Sequence, residues 1–150
     1  MNAKKYLTQY AEKVQEIKRI EYKLSALHAE ISGRGVNYDG MPRAKKITKP
    51  TEETAINLIE RERQLMEART RAAEVMCNVA DSIEALDDPL HKAVLHARYI
   101  EIYENGNPRG WQKISVDLGY SEDWIKHIHQ EGLTAIQAKL DEAEGMANGR

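Results

Sequence analysis

The chain has 150 residues, 41% hydrophobic and 31% charged, with no Phe, a balance lean in core formers that favours helical or coiled architecture over one large globular core. Its single cysteine, Cys77, excludes an intramolecular disulfide, and neither a membrane-length apolar run nor a signal-like start occurs, so a cytoplasmic protein with no membrane partner is expected. The net charge of −2 hides a polarity: residues 1–50 carry 11 Lys and Arg against 5 Asp and Glu, whereas residues 87–150 carry 7 against 11, which weighs against non-specific electrostatic adhesion of the C-terminal part to DNA.

The first pattern runs over about 3–32. Leu7, Tyr10, Val14, Ile17, Ile20, Leu24, Leu27 and Ile31 recur at steps of three and four with neither Gly nor Pro between them. That is a narrow helical stripe, suited to a coiled-coil seam. Residues 32–50, SGRGVNYDGMPRAKKITKP, break the period with Gly and Pro and read as a flexible basic loop carrying Arg34, Arg43, Lys45, Lys46 and Lys49. The second helix is announced by Thr51, a capping residue, followed by Glu52 and Glu53 at the positive end of the helix dipole. In it Leu58, Leu65, Ala72, Val79 and Leu86 recur every seven residues, Met76 and Ile83 join the seam, and Cys77 is expected as a small buried residue. The simplest fold is all-α, with residues 1–86 as a long antiparallel coiled-coil hairpin. Pairing of two copies through the coil, a homodimer, is the rival.

Residues 87–150 are expected to form a second, small domain. Asp87-Asp88-Pro89 is a cap followed by proline in the first turn, and Leu90, Val94, Leu95, Tyr99 and Ile102 give that helix its apolar face. ENGNPRG, 104–110, is a turn in which Asn107-Pro108 is a candidate cap. Trp111, Ile114 and Leu118 lie on one side of the next helix, with Trp111 expected in the core, and Gly119 ends it. Ser121 caps a last helix running to about Glu144, with MANGR frayed. Two helices joined by a short glycine-containing turn, with the small Ser115 at their crossing, meet the local description of a helix-turn-helix.

At about 100° per residue, Glu122, Lys126, Gln130, Asp123 and His127 occupy one arc of that last helix, opposite Ile125, Ile128, Gly132 and Ile136; Trp124 flanks the apolar side. A reading helix uses its first turns on base edges: Gln pairs with adenine, Lys with guanine or phosphate, and acids accept from cytosine amino groups. The Ser121-capped N-terminus and Lys113 are placed to hold phosphates. The candidate DNA-binding residues are therefore Lys113, Ser121, Glu122, Asp123, Lys126, His127 and Gln130, with the basic loop as an auxiliary phosphate contact.

The string LHKAVLHARYIE followed by WQKISVDLGYSEDWIKHIHQEGLTAI resembles region four of bacterial sigma factors. More closely, it resembles the C-terminal half of small phage-encoded late transcription regulators of the ArpU/RinA type. The likeness is carried by Val94-Leu95, Arg98-Tyr99, Trp111, Ile114, Leu118-Gly119-Tyr120-Ser121, Ile125, Ile128, His129 and Leu133. It implies binding to double-stranded DNA, control of phage late transcription in the host cytoplasm, and RNA polymerase nearby. Four positions depart from the pattern: Glu122 and Asp123 stand where basic residues are usual, and Ser115 and Gly132 where alanine is.

Other chemistry finds no footing in the sequence. His127 and His129 point about 200° apart on a helix and cannot share an ion, and no Gly-rich phosphate loop or nucleophile–base arrangement suggests an enzyme or a cofactor. The competing class is a protein-interaction adaptor, in which the helix-turn-helix binds a protein through its acidic surface.

Overall fold

The computed structural model describes residues 1–32 and 52–148, and all regular structure among them is helical. The elements are α1 (Ala3–Ser32), α2 (Glu52–Glu84), α3 (Pro89–Leu95), α4 (Trp111–Leu118) and α5 (Glu122–Asn148), with a π-turn, His96–Ile100, extending α3. An all-α chain with a long N-terminal helix pair is thus what the sequence builds. The basic residues Arg34, Arg43, Lys45, Lys46 and Lys49 and the cap Thr51 lie outside the described residues. No helix among those described is long and apolar enough to cross a membrane.

Local signals set the helix starts. Asn2 accepts a hydrogen bond from the Lys5 amide at 2.9 Å and so caps α1, and Asp88 accepts from the Leu90 amide at 2.8 Å ahead of Pro89. Gly119 closes α4 at φ 81°, in the left-handed region that glycine enters without strain. There the amides of Gly119 and Tyr120 both donate to the Ser115 carbonyl, which turns the chain sharply into α5. The cap expected at Asn107 is not used. α4 starts after Gly110 with no side-chain cap, and Asn107 is instead held in the preceding turn, where its carbonyl accepts from the Tyr103 amide at 3.0 Å. α5 runs on to Asn148, past the expected end at about Glu144, and Ile102 falls beyond the helical part of the α3 segment.

The chain divides into two compact units, one of Glu16–Ala72 and one of Met1–Gln15 with Ala73–Arg150. The division therefore falls within both long helices instead of at residue 86. In the first unit Ile20, Leu24, Leu27 and Leu65 are buried, with Leu58 and Ala68 against them. Its ion pairs, Glu21 with Arg69 at 3.8 Å and His28 with Glu62, run in opposite chain directions, so α1 and α2 are antiparallel here.

The second unit explains why residue 86 is no boundary. Ala3 and Leu7 of α1 and Val79, Ile83 and Leu86 of the α2 end share one core with Leu95, Tyr99 and Ile136. Tyr6 ties the two segments further, its hydroxyl 2.8 Å from that of Ser82. A second cluster in the same unit joins Val94, Ala97, Ile114, Ile125 and Ile128, with Leu90, Trp111 and Leu118 partly buried against it. Cys77 is exposed, contrary to expectation: it sits about 100° around α2 from Met76, off the stripe that buries Ala72, Val79 and Ile83.

Candidate nucleic-acid interface

The α4–α5 pair is assembled from its buried side. Ile114 of α4 and Ile125 of α5 are fully buried, and Ser115, 8% exposed, sits in the α4 core face with its hydroxyl donating to the Gln112 carbonyl at 2.8 Å. Gly132 makes possible another close approach: a Cβ there would lie 3.1 Å from both Cγ and Cδ1 of Leu95. Glycine at that position has a packing reason, since α5 rests directly on the α3 side chain.

The opposite side of α5 holds the predicted contact residues. Ser121 Oγ accepts from the Trp124 amide at 3.1 Å, so the cap is formed. Glu122, Asp123, Lys126, His127 and Gln130 are all exposed, as is Lys113 on α4. The structure also partners several of them. Lys126 lies 3.4 Å from Glu122, Lys113 lies 3.4 Å from Asp117, and His127 lies 3.0 Å from Glu131. Each is an exposed i, i+4 pair, which contributes at most about 0.5 kcal/mol and separates readily. Among the described residues, the side chains of Gln130 and Asp123 make no hydrogen bond. Trp124 is 44% exposed, with its ring 5.3 Å from that of His127. It therefore belongs to the open arc and does not seal the core.

Glu131 reaches across elements as well, lying 3.2 Å from His91 of α3, which is 3.7 Å from Asp88. Among the described residues no three His, Cys, Asp or Glu side chains gather as metal ligands would.

A polar cluster behind this arc was not foreseen. His129, 5% exposed, has Nε2 2.8 Å from the Tyr99 hydroxyl. The two rings stack at 5.7 Å, and Trp111 meets the imidazole edge-on at 4.7 Å. Burial first, and then the positive charges of Arg98 and Lys4, push the imidazole down to about 4, so it is neutral at pH 7. Burial likewise raises the Tyr99 phenol. The Arg98 guanidinium lies 4.2 Å over the Trp111 ring and donates to the Arg109 carbonyl. Trp111 is accordingly half-buried, one face on the core and the other under a cation. Phase could have found His129, which falls beside the apolar arc of α5. No sequence spacing links Arg98 to Trp111.

Comparison with protein-family models, with curated proteins and with solved structures finds no match to this chain.

Proposed function

We propose that the chain is a DNA-binding transcription regulator, with α4 and α5 acting as a helix-turn-helix and α1 with α2 as a coiled coil for self-association or polymerase contact. The observation that carries the reading is the capped start of α5. Its first two turns expose Glu122, Asp123, Lys126, His127 and Gln130 together, while the far side is fixed by Ile125 and Ile128. A rigid helix with an uncovered, hydrogen-bonding N-terminal arc is what a major groove accepts. The likeness of 87–140 to phage late regulators names the setting, and the basic residues of 34–49 would add phosphate contacts.

In this reading Lys126 releases Glu122 to meet phosphate or guanine, Gln130 reads an adenine, and the freed acids bias the site toward cytosine amino groups. Fluorescence anisotropy of labelled duplex DNA, titrated with salt, tests it. Gln130→Ala should change sequence preference by about 1–3 kcal/mol at one base pair. Lys126→Ala should weaken all sequences alike and lower the salt slope by about one. Undetectable binding at low salt by folded protein would remove the DNA reading.

The second reading is the protein-binding adaptor. It is favoured by one feature: Trp124 stands exposed beside Glu122 and Asp123 at the start of α5, and Trp is among the residue types most enriched at interface hot spots. Trp124→Ala would then abolish a protein complex while leaving any DNA affinity unchanged.

A further inference from the structure

A cavity of about 130 Å³ opens within the unit formed by the chain's first residues and its C-terminal helices. Its lining is aromatic and apolar at Trp111, Tyr99, His129 and Ile102 and cationic at Lys4 and Arg98. No Asp or Glu lines it. Among the described residues neither cation has a carboxylate within ion-pair distance, although Asp and Glu outnumber Lys and Arg over 87–150. Both charges are felt at one point, since Arg98 and Lys4 each disfavour protonation of His129. The walls thus combine a positive potential with a ring-sized apolar hollow; a cavity of about 150 Å³ lined by apolar side chains takes up benzene.

We infer that this cavity binds a small aromatic carboxylate of the benzoate class, its ring against Ile102 and the edge of Trp111 and its carboxylate toward Lys4 and Arg98. An inorganic anion would meet the same cations but leave the aromatic wall without an apolar partner, and a cationic ring would meet two like charges. The carboxylate accepts charge-assisted hydrogen bonds from donors that no protein acid occupies. The π-turn contributes directly, because it carries both Arg98 and Tyr99 to the cavity, and such turns are frequent at functional sites.

Heteronuclear NMR of the two indole N–H groups tests this, with Trp124 outside the cavity as internal reference and Trp124→Phe to assign the peaks. Benzoate, titrated at constant ionic strength to tens of millimolar, the weak end for so few heavy atoms, should shift Trp111 saturably and leave Trp124 in place. Benzylamine and inorganic phosphate should not. Lys4→Gln, a change at an exposed position that leaves the core untouched, should weaken benzoate roughly tenfold. No saturable Trp111 shift, an equal response to benzylamine or phosphate, or unchanged affinity in Lys4→Gln would each overturn the assignment.

Discussion

His129 shows how one buried side chain sets a pH response. Its folded-state value of about 4 lies below the ordinary value of 6.5, so between those limits the unfolded chain binds the extra proton. Stability is therefore full above about pH 6.5 and falls as pH drops toward 4. Between pH 7 and pH 5 the loss should be about 2 kcal/mol. Urea denaturation at the two pH values, compared with His129→Gln, isolates that share from the carboxylates; an equal pH slope in the variant would refute it. Gly132 is the second residue whose identity has a local cause. Gly132→Ala gains up to about 1 kcal/mol of helix propensity, but its Cβ would lie 3.1 Å from Leu95, which is fully buried and would have to shift among packed neighbours. Overpacking of about 1–3 kcal/mol should dominate. A lower melting temperature is expected, with the loss reduced in a Leu95→Val background because the two sites couple.

At the level of single elements, periodicity made the long helices legible. The stripe residues Leu7, Ile20, Leu24, Leu27, Leu65, Ala72, Val79 and Ile83 are all buried, since a period of three and four can be satisfied by one packed face alone. Leu65→Asp would place an unpaired charge among Ile20, Leu24 and Leu27 and should cost about 3 kcal/mol or more. A circular-dichroism melt unchanged by it would contradict the packing. Caps at Asp88 and Ser121 and the glycine stop at 119 were also legible, because each is a local hydrogen-bonding problem with few side-chain solutions. What the pattern did not yield was the π-turn, the partner of Trp111 or the cap of α4. The contact over Trp111 joins residues of different elements, with Arg98 held there by the Arg109 carbonyl, while the π-turn and the uncapped start of α4 leave no side-chain signal in the sequence. The exposed arc of α5 was legible as an arc, but not its ion pairs: an exposed Lys beside a Glu can pair along its own helix or face outward with almost the same energy.

Across the whole molecule the informative fact is that one unit is built from two separated stretches, Met1–Gln15 and Ala73–Arg150. Leu7 is fully buried among Val79, Ile83, Leu95 and Ile136, so Leu7→Ala should destabilise the C-terminal helices by about 2–5 kcal/mol. Denaturation followed by Trp111 fluorescence would register it, and an unchanged midpoint would show that the first turns of α1 are dispensable to that unit. The same discontinuity imposes an order on biosynthesis. As the chain leaves the ribosome at about 5–20 residues per second, Ile20, Leu24 and Leu27 can close on Leu65 while Ile136 has not yet been made. Leu7 can meet Val79 and Ile83 as α2 emerges, but Leu95 and Ile136, which complete its cover, are made later, and until then its side chain stays partly open, a place where a chaperone would find it.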